Sequence, residues 1–236
     1  MHYLLEPVQT KYFPIATVCI IVINGIIFAI GLISGEQTQI IRNYGFIPDQ
    51  LFSARNLENN NDQQNSLNSL LQHSEPQSSS SLSTISDSMA RLFTSMFVHA
   101  SIAHIAFNLF ALAYLGVYAE RAVGVPRYIL VYIASGIVAA LFHGAIASYI
   151  LHNGNVVLIG ASGAISGVLG IAAVTGNSKA YYWLALQIVF AVIGSISALP
   201  IAFTAHVGGF IAGVAMTKVL VRLEKSKRKS KFFPQP

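Results

Sequence analysis

The residues of this chain best placed to do chemistry are a serine and a histidine in two different apolar stretches. Ser162 stands between glycines in Gly160-Ala161-Ser162-Gly163, and His206 opens a later run of the same apolar kind. Polar groups in a hydrocarbon environment are costly and tend to mark function. An imidazole that takes the proton of a serine hydroxyl makes a nucleophile at neutral pH. The pair therefore predicts acyl-transfer chemistry at Ser162 with His206 as general base. Neither stretch carries an aspartate or glutamate to orient the histidine, so a dyad is expected and no metal or other cofactor is required.

Spacing places more polar groups nearby. His104 and Asn108 are four residues apart and share one face of a helix, while His99 precedes them in the turn leading in. Their neighbours Ile102, Ile105, Phe107 and Leu109 are apolar, so the polar stripe is narrow and should face inward. Side-chain donors at His104 and Asn108, with the backbone N–H of Ser162, suit the negative oxygen of a tetrahedral intermediate. Small residues recur at helical spacing as Ser162, Ser166 and Gly170 and as Gly163 and Gly167. The row His206, Gly209 and Gly213 repeats the pattern. Such rows let two helix backbones approach closely, which would bring hydroxyl and imidazole within hydrogen-bond reach.

The elements that must hold these groups are membrane helices. The chain is 54% hydrophobic and 10% charged, far from the quarter charged of soluble domains. Charges are nearly absent from runs of about twenty residues, the length that crosses a hydrocarbon core of about 30 Å. Six spans are expected: Pro14 to Ser34, Ser101 to Ala119, Tyr128 to Leu151, Ile159 to before Gly176, Ala180 to Ser197, and Phe203 to Val221. The first is too long for a signal-peptide core and is read as a retained helix.

The net charge of +5 sits mostly in one tail: Lys218, Arg222, Lys225, Lys227, Arg228, Lys229 and Lys231. A basic block after an apolar span reads as a cytoplasmic flank on anionic lipid rather than as a nucleic-acid site. Six spans put both termini on that side, and the net-acidic first loop on the other, where the site would open. The expected layout is a cytoplasmic N-terminus over 1–13, a six-span core over 14–221 and a basic tail over 222–236. Within the first loop, about 56–88 is rich in Asn, Gln and Ser and is expected to be disordered. His73 in that stretch and the lone Cys19 are expected to do nothing specific. His143 and His152 lack metal-ligand spacing; His143 reads as a packing residue.

Together these motifs resemble the signature of the rhomboid intramembrane serine proteases: Gly160-Ala161-Ser162-Gly163, His206-Val207-Gly208-Gly209-Phe210-Ile211-Ala212-Gly213, and His99 through His104 to Asn108. Tyr44-Gly45-Phe46-Ile47-Pro48, Phe93-Thr94-Ser95-Met96-Phe97 and the pair Glu120 and Gly124 are similar to further family features. The resemblance implies an all-α membrane bundle of six transmembrane helices, with Ser162 as nucleophile, His206 as base, and His104 and Asn108 at the oxyanion. It gives His99 an anchoring role, with Gly160, Gly163, Gly209, Gly213 and Glu120 as structural support. It implies single-span membrane proteins as substrates, cut in or near the span, and Phe190 at a lateral gate.

Three positions depart from the pattern. Ser166 stands where many members stack an aromatic on the base, Ala90 precedes Arg91 in place of tryptophan, and Arg121 directly adjoins Glu120. A catalytically dead relative would lack the serine or the histidine, and both are present. A solute transporter would be expected to show an internal repeat, and no second copy of the Gly160–Gly167 pattern occurs.

Overall fold

A computed structural model describes residues 13–52, 79–196 and 203–232. Among them the chain is helical, and the only β pairing is an isolated bridge between Phe46 and Leu158. The helices are α1 (Ile15–Ser34), α2 (Gln37–Tyr44), α3 (Ser79–Thr94), α4 (Ile102–Val123), α5 (Val125–Tyr149), α6 (Ser162–Val174), α7 (Lys179–Ile196) and α8 (Phe203–Phe232). Four of these are long and apolar enough to cross a membrane: α1, α4, α5 and the Phe203–Glu224 part of α8.

The ends of the helices follow local chemistry. Pro14 precedes α1, where its missing N–H costs nothing. α4 runs a turn beyond the expected Ala119, so Glu120 lies inside the helix. It stops at Gly124, whose φ of +82° is cheap only without a side chain. Pro126 then sits in the first turn of α5. One turn of α4, Leu112–Gly116, is wound as a π-helix.

Two expectations are corrected. The fourth span was expected from Ile159, but α6 begins only at Ser162 and has 13 residues. At 1.5 Å per residue that is about 20 Å, short of the hydrocarbon thickness. The reason lies in its surroundings: every residue from Gly163 to Ala172 is buried. A helix apolar all round belongs in the centre of a bundle, and α6 packs between α5 and α8. The low-complexity stretch was expected to reach about residue 88, yet Ser79–Ser88 forms the first part of α3. Ser88 is buried, and Ile85 and Leu92 pack with Phe46, Leu51 and Ala140, which gives this end apolar surface to hide. His73 and most of that stretch lie outside the described residues.

Connections on the Ser162 side are tied together. Phe46 and Leu158 exchange both backbone hydrogen bonds, at 3.0 and 2.7 Å. The Asp49 N–H donates to the Gly154 carbonyl at 3.0 Å, and Ser148 donates to the Asp49 carboxylate at 2.7 Å. At the other end α1 is fixed by Glu120. Its carboxylate accepts from Ala16 N at 3.0 Å, Thr17 N at 2.7 Å and Thr17 Oγ1 at 2.6 Å. A helix leaves its first N–H groups without intrahelical partners, and Glu120 supplies acceptors for two of them from a neighbouring helix.

Candidate active site

Ser162 is the first residue of α6, and His206 lies in the first turn of α8. The two helices run side by side in the same direction, and their seam is built of backbone. A Cβ on Gly209 would strike the Gly163 carbonyl, and one on Gly213 would strike that of Gly167. A Cβ on Gly170 would come within 2.6 Å of Val214 N and 2.7 Å of Gly213 C. Only glycine fits these points, and the approach sets hydroxyl and imidazole side by side: Ser162 Oγ lies 2.9 Å from His206 Nε2. Both side chains are half-buried.

For Nε2 to accept the serine proton, the hydrogen of the neutral ring must sit on Nδ1. That nitrogen is buried and has no acceptor among the described residues. The position of the ring comes from the backbone. Gly208 lies against the Phe142 ring, where a Cβ would be 2.9 Å from Cβ and Cδ1 of Phe142, and Gly209 lies against Gly163. Ser166, which stands where an aromatic is absent, donates back to the Ser162 carbonyl at 2.9 Å.

The segment leading to Ser162 is equally constrained. Gly160 has φ +109°, a conformation that side chains rarely adopt, and its N–H donates to the Ser95 carbonyl at 2.9 Å. A Cβ there would lie 2.6 Å from His104 Nε2, so the His104 ring is seated directly on this turn, two residues before Ser162. Asn108 is buried one helical turn along and donates from Nδ2 to the His104 carbonyl at 2.8 Å. An amide nitrogen carries two hydrogens, so one remains for another acceptor. The first N–H groups of α6 likewise lack intrahelical acceptors and lie at the positive end of the helix dipole.

His99 is fully buried, with its ring edge-on to His104 at 4.9 Å between centroids. Its carbonyl accepts from Gln37 Nε2 at 2.5 Å, which ties α2 to the turn before α4. Burial, followed by the neighbouring His104, lowers its pKa from 6.5 to about 3. His99 is therefore a neutral packing group. Glu120 is at the far end of the bundle and touches nothing at Ser162.

Two further contributors lie in this region: His143, read above as a packing residue, and Ser135, which carried no sequence signal. His143 Nδ1 lies 2.6 Å from Thr204 Oγ1, joining α5 to α8 two residues before His206. Ser135 lies against Gly167 in the same seam. The Phe190 side chain lies outside what is described. No cluster of three metal-ligating side chains occurs among the described residues.

Against protein families, residues 86–223, more than half of the chain, match the rhomboid domain. The chain belongs to the rhomboid family. This rhomboid is 35% identical over 130 residues to the rhomboid protease GluP of Bacillus subtilis, covering 52% of this chain and 24% of that protein. It is 31% identical over 144 residues to the mitochondrial RHOMBOID-like protein 6 of Arabidopsis thaliana, covering 58% and 45%. It is 31% identical over 150 residues to the rhomboid-type serine protease 2 of Emericella nidulans, covering 60% and 29%. The matched stretches thus span less than half of these relatives' lengths. α1 and α2 lie before the matched domain.

Proposed function

We propose that this rhomboid is an intramembrane serine endopeptidase that cleaves single-span membrane proteins in or near their transmembrane segment. The observation that carries the reading is the 2.9 Å contact between Ser162 Oγ and His206 Nε2, within a chain whose relatives are named as proteases.

Ser162 Oγ attacks the scissile carbonyl carbon while His206 Nε2 takes its proton. The carbonyl oxygen becomes an oxyanion held by the His104 ring N–H, the second Asn108 N–H and the backbone at the start of α6. Collapse breaks the C–N bond, and His206 returns the proton to the leaving amine. Water, deprotonated by the same base, then hydrolyses the acyl-enzyme and frees Ser162. A helical amide is hydrogen-bonded and shielded, so the substrate must unwind locally before attack. The two groups at the start of α6 and α8, with both termini cytoplasmic, open toward the outer face.

The test uses purified protein in detergent with a model single-span substrate. Cleavage is expected for the wild type and is lost in Ser162→Ala and His206→Ala. A fluorophosphonate should label the wild type at Ser162 and leave Ser162→Ala unlabelled. Equal cleavage by the serine variant would end the proposal.

A further inference from the structure

At the end of the bundle away from Ser162, α4 and α7 line an open pocket of about 270 Å³. Its wall on one side is the π-wound turn of α4, which presents Tyr114 and Leu115. On the other it is Lys179, Tyr182, Trp183 and Leu186 of α7. π-turns are uncommon and are often found where a helix serves a site.

The lining is sorted by chemistry. Lys179 Nζ donates to the Tyr114 hydroxyl at 2.9 Å and stands 5.5 Å over that ring's centroid, leaving two ammonium hydrogens uncommitted to it. Trp183 has its indole N–H buried with no acceptor among the described residues, although such donors usually find one. Leu115 and Leu186 are the apolar remainder, and none of the lining residues is acidic. The pocket therefore combines a positive charge, the Lys179 and Tyr114 donors and an apolar lining.

Its place in the bundle narrows the ligand. α6 is about 20 Å long, and the pocket adjoins the turn that follows it. Arg222 lies sixteen residues beyond His206 along α8, about 24 Å, and so reaches the same end. Tyr181 and Tyr182 are exposed there, as aromatics at a membrane–water interface are. A ligand that brings negative oxygens at headgroup depth, with hydrocarbon attached, matches every wall.

We propose that this pocket binds the phosphate of an anionic phospholipid. The phosphate oxygens accept from Lys179 and Tyr114, and the acyl chains lie along Trp183, Leu115 and Leu186.

Trp183 is the single tryptophan of the chain, so its fluorescence reports on the pocket alone. The protein is placed in phosphatidylcholine vesicles, and quenching by brominated phosphatidylglycerol is compared with quenching by brominated phosphatidylcholine. The wild type should favour the anionic lipid about fivefold, the value of one interfacial cation. Lys179→Met should bring the two lipids to within about twofold while leaving phosphatidylcholine quenching unchanged, which also shows an intact fold. Lys179→Arg should keep the preference, as should glutamine at Lys225, Lys227, Lys229 and Lys231. An undiminished preference in Lys179→Met, or its disappearance when the tail is neutralised, would overturn the site in favour of diffuse attraction. Relief of quenching by millimolar glycerol 3-phosphate would overturn the lipid and assign the pocket to a soluble phosphate.

Discussion

Two polar groups within this bundle are treated in opposite ways. Glu120, 3% exposed, accepts three hydrogen bonds from Ala16 and Thr17 and so joins α4 to the start of α1. Among the described residues His206 makes one hydrogen bond, with Ser162, and its Nδ1 has no acceptor. A buried polar group that is fully paired stabilises the packing around it; one left short of partners costs stability and stays available to something that arrives later. The difference separates the part of the molecule that holds the bundle from the part proposed to react.

The comparison breaks most sharply if the two sites respond alike to substitution. Ser162→Ala and His206→Ala should each lower kcat/KM by about 10⁴-fold or more while the unfolding midpoint in detergent stays within a few degrees. Loss of fold in both would make the pair structural. Glu120→Ala should do the reverse, stripping three donors of their acceptor at a cost of roughly 3–5 kcal/mol. Calorimetry should show the lowered midpoint, and the molecules that remain folded should keep their specific activity.

Between these limits lies the glycine seam. Gly209→Ala drives a Cβ into the Gly163 carbonyl, which should cost about 1–3 kcal/mol and lower turnover about 10²-fold by displacing His206 from Ser162. A variant as active as the wild type would show that the seam does not set that distance.

The smallest effect concerns His99, which faces His104 and is tied through its carbonyl to Gln37. Its pKa is lowered to about 3 when folded, against about 6.5 unfolded, so the unfolded chain binds the extra proton between these values. The stability it allows is complete above about pH 6.5 and declines as pH falls toward 3. Melting temperature should therefore drop more steeply between pH 6.5 and 4 in the wild type than in His99→Leu. Parallel curves would mean that His99 is not buried in neutral form.

The sequence made the contact of Ser162 with His206 legible because small residues at four-residue spacing let apolar helices approach closely, and the rows at Gly163, Gly167, Gly209 and Gly213 do meet. The start of α1 at Pro14 was legible from local chemistry, whereas the ends at Gly124 and Pro126 lie beyond the expected bounds of Ala119 and Tyr128. The shortness of α6 was not legible, because an apolar lead-in such as Val156 to Ile159 reads like helix until its pairing with Phe46 is known. The start of α3 was hidden too: serine-rich composition signals disorder, and only contacts with residues far along the chain explain the helix. The partners of Glu120 lie more than a hundred residues away, beyond any local pattern. Nor could spacing foresee that Asn108 donates to the His104 carbonyl, because an amide on the right face still chooses among acceptors.

A seam made of peptide groups has no rotamers to sample. Where leucines fill a gap between helices, warming lets them hop and the spacing blurs; bare backbone in contact with bare backbone has no such slack. The separation between Ser162 and His206 should therefore hold nearly constant with temperature until the helices part, and activity should end abruptly at that point instead of fading.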